Sequence, residues 1–243
     1  MQKIKLISVN IEGSKHLNKV LPFLKLENPD VICLQELIES DIPAFIEIFG
    51  PEYIYAPMFP RIKNDREEIL GVGVFSRLPS IEKNITYYVD HRSPLQRFDP
   101  STVDTKFKTA SFALAGITVK LDGKDCTLFS THFPVTDDGH ATDFQRETLA
   151  KLFTVLKEQN SFILCGDFNA PRGREIFTLL AEKYMDNVPT QYTSSIDGTI
   201  HRAGQLPYMV DGLFSTQNMR VENVEMRCGV SDHCALISDV YVG

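Results

Sequence analysis

The segment FILCGDFNAPRGRE, residues 162–175, sets a carboxylate and an amide two positions apart where an apolar run stops. Side chains two apart on a strand share a face, so Asp167 and Asn169 are expected to address one spot. Similar endings recur along the chain. KIKLISVN ends in Asn10 with Glu12 two further on, DVICLQE ends in Gln35 and Glu36, and CTLFSTHF carries His132. Asp211 breaks into YMVDGLF, and Asp232 and His233 stand just before the last apolar run. Ligands of sheet proteins gather where strands end and loops leave the core, so these endings predict convergence at a single site. Two carboxylates about 4 Å apart repel by roughly 4 kcal/mol at an effective dielectric near 20. A cluster of Glu12, Glu36, Asp167, Asp211 and Asp232 must therefore bind protons or a cation. No cysteine or histidine pair has zinc spacing, and an all-oxygen donor set favours Mg²⁺ or Mn²⁺, with Mg²⁺ commonly beside substrate phosphates.

Other chemistries fit poorly. GxSxG, HExxH and the P-loop are absent. Ser231, Asp232 and His233 are consecutive, so they cannot form the hydrogen-bonded chain of a triad, and Cys234 beside His233 is no thiol dyad for the same reason. GVGVFS lacks a third glycine at fingerprint spacing and reads as a strand.

The elements that must position these groups are short. Apolar, β-branched runs of strand length include KIKLISVN, DVICLQE, GVGVFS, ASFALAGITVKL, CTLFSTHF, SFILCGDFN, YMVDGLF and CALISDVYV. Helical stripes fall between some of them: Leu17, Val20, Leu21 and Leu24; Leu149, Leu152, Phe153 and Leu156; Ile176, Leu179 and Leu180. Ser14 and Thr142 are candidate N-caps. Residues 51–68 and 186–207 read as loops. Interspersed strands and helices indicate an α/β or α+β fold. With no linker, repeat or low-complexity tract, 1–243 is expected to be a single domain.

A net charge of −7 argues against coating nucleic acid through its backbone, but not against an enzyme that grips a few nucleotides. Of five cysteines, Cys33 and Cys165 sit inside apolar runs and none is in a CxxC spacing. That suits free thiols in a reducing compartment. The first residues do not read as a signal peptide and no run has membrane-spanning length. A soluble, cytoplasmic protein is expected, with a monomer as the default.

In order, SVNIEG (8–13), ICLQEL (32–37), GVGVFSRLP (71–79), STHFP (130–134), GDFNAP (166–171), VDGLF (210–214) and SDHCAL (231–236) resemble the endonuclease/exonuclease/phosphatase family. NIEG, LQELI and the GHA after the THF strand look most like its tyrosyl-DNA phosphodiesterase branch. The resemblance implies a four-layer sandwich of two packed, mostly antiparallel β-sheets flanked by α-helices. It implies that Glu36 binds the divalent metal, supported by Asn10, and that Asp167 orients or deprotonates the attacking water. Asn169 would hold phosphate and water, and His132 would make a second phosphate contact. His233 would meet a non-bridging phosphate oxygen, its ring oriented by Asp232, which is also a candidate metal ligand. Asp211 would lie near metal or leaving group. The family often has Asp where Glu12 stands, so Glu12 is expected to reach the metal through water.

The expected function is a Mg²⁺-dependent phosphodiesterase, with Mn²⁺ able to substitute. Nucleic acid is the leading substrate, as for a DNA nuclease or DNA end-processing enzyme. The rivals are a phosphodiesterase or phosphatase acting on a small molecule or phospholipid headgroup, and a non-catalytic binding protein. Arg172 and Arg174 could grip substrate phosphate or merely solvate a helix start, two readings of equal weight. Asp137 and Asp138 are expected to solvate their loop, with a second metal the lesser reading. His16, His91, His140 and His201 are expected at the surface or in loops, and Arg61, Lys63 and Arg66 in solvent.

Overall fold

A computed structural model describes residues 2–63, 66–89, 95 and 110–242; His91 and the side chains of Lys63 and Arg66 lie outside the described residues. The chain runs β1 (Ile4–Asn10), α1 (Leu17–Glu27), β2 (Val31–Ile38), α2 (Ile42–Phe49), β3 (Tyr53–Lys63), β4 (Arg66–Ser76), β5 (Ser80–Val89) and β6 (Phe112–Leu121). It continues through β7 (Lys124–His132), α3 (Asp143–Leu156), β8 (Phe162–Asp167), α4 (Glu175–Lys183), β9 (Met185–Asp186), β10 (Asp211–Ser215), β11 (Met219–Arg227) and β12 (Ala235–Val242).

These strands form two six-stranded sheets, ordered β11-β12-β1-β2-β4-β3 and β5-β6-β7-β8-β10-β9. In each, the central pair is parallel (β1 with β2, β7 with β8) and the remaining pairs are antiparallel. The expected sandwich with flanking helices is the observed architecture. Ile7, Val9, Ile32 and Leu34 face outward onto Val20 and Leu24 of α1 and Phe45 of α2. Ile4, Leu6, Val31 and Cys33 alternate to the inner face and join the core with the second sheet, α3 and α4. Contact between the sheets is direct, since the Cys33 thiol lies 3.7 Å from the Phe129 carbonyl.

Each expected strand run contributes to a strand, YMVDGLF only from Asp211 onward, and the three helical stripes lie in α1, α3 and α4. Thr142 caps α3 by accepting the Gln145 N–H at 3.3 Å. Ser14 is a correction: it sits within a 3₁₀ turn and donates to Asp41 instead. Residues 51–68 are also corrected, from loop to the β3–β4 hairpin. Pro57 and Pro60 suggested a loop, but β3 is an edge strand, where a missing N–H is tolerated. The unforeseen β5 and β11 are edges too, kept polar as exposed edges usually are. Residues 187–207 are largely irregular, apart from a bridge between Ile196 and His233. The free-thiol reading holds for Cys33, Cys126 and Cys165, all buried, but Cys228 and Cys234 form a disulfide. Among the described residues no helix is long and apolar enough to cross a membrane.

Candidate active site

Strand parity carries the first residues to the site. On β1 the even positions face the second sheet, so Asn10 does as well. Gln35 follows Val31 and Cys33 inward, and its Nε2 donates to Ser130 Oγ at 3.0 Å, joining the two sheets behind the site. On β7, Ser130 faces the first sheet and donates to the Leu34 carbonyl, so His132 two residues on has the same direction. On β8, Cys165 approaches Cys33, and Asp167 shares its face. The parallel registers then align the ends, pairing Asn10 with Gln35 and His132 with Asp167.

Glu36 arrives differently. Leu34 and Leu37 pair with Gly73 and Gly71, so β2 holds one residue more than β4 at this point. Bulges of this kind re-aim side chains beside active sites. Glu36 is left-handed (φ 54°), as are Glu12 (φ 49°) and Asn169 (φ 49°). Asn tolerates that region, whereas a glutamate there costs roughly 1–2 kcal/mol.

Asp167, 2% exposed, is the hub. Its Oδ2 accepts Asn10 Nδ2 at 3.0 Å and lies 3.6 Å from His132 Nε2 and 3.7 Å from His233 Nε2. Its Oδ1 accepts the Asn169 backbone N–H at 2.8 Å. Asp167 and Asn169 thus meet through a turn closed by the aspartate, because β8 ends at Asp167 and alternation stops there. The Asn169 amide is bound to the Phe133 carbonyl at 2.9 Å and stands 2.9 Å from His132 Nε2.

The expected partner of His233 is corrected. Its Nδ1 binds Asp211 Oδ2 at 2.7 Å, so Asp211 orients the ring, while Asp232 accepts from Ser231 Oγ. Asp211 can do this because it starts β10 directly opposite Asp167. Burial pushes the His233 pKa down, but Asp211 and Asp167 outweigh it and hold the imidazole well above its usual value. Burial in turn raises the Asp211 pKa, against the pull of His233. The pair therefore favours an imidazolium that can donate from Nε2 to an anion.

A cleft of about 530 Å³ opens over these groups, lined among others by Glu12, Glu36, Asp232, Arg61, His201 and Arg202. Asp232 has its pKa raised by burial, opposed by His233, and raised further by Glu12 and Glu36. Three carboxylates thus share one field, and the carboxylates of Glu36 and Asp232 bond only to Asn10 and Ser231 among the described residues. That donor set suits a hard divalent cation. Glu12 departs from expectation: its oxygens are held by Lys15 (2.8 and 2.9 Å) and His16 (2.8 Å), which outweigh burial and lower its pKa. His16 is therefore a buried partner rather than a surface residue. Donor atoms of Glu12, His16 and Asp232 lie within 4.8 Å of one another, as do those of Asp167, Asp211 and His233. A donor set expected to be all oxygen thus gains an imidazole neighbour.

Arg172 is a further correction. Its guanidinium donates to the carbonyls of Val188, Pro189 and Tyr192, pairs with Asp186 at 2.8 Å and stacks over Phe177. It fastens the 186–192 segment and is absent from the cleft lining. Arg174 is likewise engaged, bonding the Asp138 carbonyl and stacking 4.9 Å from the Tyr208 ring centre. Asp137 and Asp138 lie in an exposed turn, where His140 comes within 3.6 Å of Asp138. Sequence reasoning missed His201, Arg202 and Arg61 as cleft residues, because no periodicity marks irregular backbone and Arg61 sat in an expected loop.

Comparison places this geometry among known folds. The endonuclease/exonuclease/phosphatase from Beutenbergia cavernae is similar with a TM-score of 0.75 and 15% identity, over 100% of this chain and 72% of that one. The mannosyl-6-phosphatase of Bacteroides thetaiotaomicron has a TM-score of 0.67 and 13% identity, over 98% of this chain and 99% of that one. The human Nocturnin catalytic domain, solved with bound sulfate, has a TM-score of 0.66 and 16% identity, over 99% and 95%. No curated protein matches the chain. Residues 7–233 match the model of the Endonuclease/Exonuclease/phosphatase family, and with its motifs spread across that span the chain belongs to this family.

Proposed function

We propose that the protein is a divalent-metal-dependent phosphodiesterase, with Mg²⁺ as the metal and Mn²⁺ able to replace it. The observation that carries this reading is the meeting of Asn10 from one sheet with Asp167, His132 and Asn169 from the other, with His233 within 3.7 Å of the same carboxylate. Hydrolysis of a phosphodiester needs charge neutralised at the phosphate and water positioned opposite the leaving oxygen. When bound, the cation would polarise a phosphate oxygen; Glu36 and Asp232, with Asn10 beside them, would hold it. Asp167 is the group to orient and deprotonate water, since its Oδ2 faces the cleft between two imidazoles. His233, kept cationic by Asp211, donates from Nε2 to a phosphate oxygen, and His132 with the Asn169 amide supports the same charge.

A nucleic-acid strand is the preferred substrate, in keeping with the NIEG, LQELI and GHA motifs of a DNA end-processing enzyme. The volume of the cleft favours a second reading, because about 530 Å³ is in the range of small-molecule sites. That reading is a phosphodiesterase or phosphatase for a small molecule or phospholipid headgroup. Contributions from both sheets to one cleft support treating 1–243 as a single domain. Three buried free thiols support a cytoplasmic location, and the Cys228–Cys234 pair weighs against it.

The test is turnover of bis(4-nitrophenyl) phosphate with and without EDTA. The reading expects EDTA-sensitive hydrolysis that Mg²⁺ restores; no hydrolysis in either condition favours a binding protein on this fold.

A further inference from the structure

Several acids around the cleft already have protein partners. Glu12 is held by Lys15 and His16, Asp167 by two amides, and Asp211 by His233. Glu36 and Asp232 remain for a cation. Of the cleft's guanidinium groups, Arg61 gives Nε to Glu68 at 3.0 Å, but its Nη2 is buried with no hydrogen-bond partner among the described residues. This group packs over Gly13, where an added Cβ would fall 2.5 Å from Nη2, so the loop carrying Glu12 makes room for it. Arg202 has no hydrogen bond or ion pair among the described residues. It lines both the main cleft and an adjoining hollow of about 300 Å³ that shares Asn169, His201 and His233. Arg61 instead shares a hollow with Glu12 and Lys15, so the two cations mark opposite ends of the site.

The backbone presenting Arg202 is fastened to the segment that carries His233. The Asp197 carbonyl accepts the N–H groups of Ile200 (3.0 Å) and His201 (2.8 Å), and Gly204 N–H closes onto the His201 carbonyl at 2.9 Å. The Asp197 carboxylate takes the Thr199 N–H (2.9 Å) and hydroxyl (2.6 Å) through one oxygen and the Gly229 N–H (2.6 Å) through the other. Its own N–H donates to the Asp232 carbonyl at 2.8 Å. A cation set on a fixed loop over the cleft, with no acid among the described residues paired to it, is arranged for an anion from outside.

We infer that the substrate carries a phosphate besides the scissile one, gripped by Arg202 at the His233 end, with Arg61 ready for another at the Glu12 end. The inference rests on the phosphodiesterase reading and narrows it to multiply phosphorylated diesters. The neighbouring phosphate of a nucleotide strand and a phosphomonoester on a small molecule offer the same chemistry. Asp197 is the positioning residue.

The experiment compares kcat/KM in Mg²⁺ for bis(4-nitrophenyl) phosphate, which has a single phosphate, for 5′-phosphorylated dithymidylate and for glycerophosphoinositol 4-phosphate. The wild type is expected to prefer at least one of the latter two, and which one identifies the source of the second phosphate. In Arg202→Ala the ratio of that kcat/KM to the single-phosphate value should fall roughly 10- to 100-fold, the scale of one charged hydrogen bond, mainly through KM. Arg202→Lys should retain much of the preference, and Arg61→Ala should lose less. An unchanged ratio in Arg202→Ala, or no wild-type preference for either phosphorylated diester, overturns the inference while leaving the hydrolase reading intact. Failure to hydrolyse all three overturns the hydrolase reading itself.

Discussion

The β1–β2 and β7–β8 pairs hold the same place in their sheets, both parallel and both central, and end over the same cleft, yet they are built differently. The second pair delivers His132 and Asp167 by plain strand parity, side by side in register. The first delivers Asn10 by parity but Glu36 only through an extra residue and a left-handed backbone. His132 and Asp167, expected to act on phosphate and water, thus rest on regular structure with satisfied hydrogen bonds. On the metal side Glu36 sits on a left-handed backbone, and its charge repels that of Asp232. Strain and repulsion on that side are what a bound cation would offset.

This contrast can be broken from either side. The largest effect is expected on the phosphate side: His233→Ala or Asp167→Asn should lower kcat by at least about 10²-fold, with metal affinity changed much less, as steady-state kinetics and calorimetry would report. On the metal side, Glu36→Gly removes a ligand and relieves the positive φ together. Metal affinity should drop roughly 10-fold or more, while the metal-free protein melts no lower than wild type. A lower melting temperature in Glu36→Gly would mean that the bulge stores no strain. Between the pairs, Gln35→Ala removes the amide that links the sheets and should cost about 1–3 kcal/mol in denaturant unfolding.

The smallest effect is a control on β12, opposite Lys5 at the end of β1 away from the cleft. Asp239 accepts from Lys3 Nζ (3.0 Å) and Asn223 Nδ2 (2.9 Å), and these outweigh burial to lower its pKa. A depressed carboxylate stabilises the fold above its unfolded pKa and ceases to as pH falls through the folded value. Asp239→Asn should therefore be slightly less stable than wild type at neutral pH, with the gap closing below the usual aspartate range and Mg²⁺ affinity unaltered. Thermal melts from pH 7 down to 2 would check it.

How far the sequence revealed this arrangement follows the same division. Residues delivered by strand parity were legible, because a period of two can be read from KLISVN, STHF and ILCGD. The bulge at Glu36 was not, since an extra residue exists only relative to a partner strand. The choice of Asp211 over Asp232 to orient His233 depends on β10 lying against β8, a long-range pairing that local pattern does not encode. Arg172 was left open between two readings, neither of which the structure shows, and Arg202 was not singled out at all, for a related reason. The carbonyls that occupy Arg172 belong to Val188, Pro189 and Tyr192, and the strap that presents Arg202 joins Asp197 to Gly229. Both lie in backbone without periodicity. The edge strands β3, β5 and β11 were missed because polarity and proline, which protect an edge, also resemble a loop.

The most direct test is anomalous diffraction from crystals grown with Mn²⁺. An ion coordinated by Glu36 and Asp232, within reach of the Asp167–His233 cleft, is the expected result. Mn²⁺ bound only on a separate surface, with these carboxylates uncoordinated at saturating metal, would contradict the claim that the two sheets assemble one metal-dependent site.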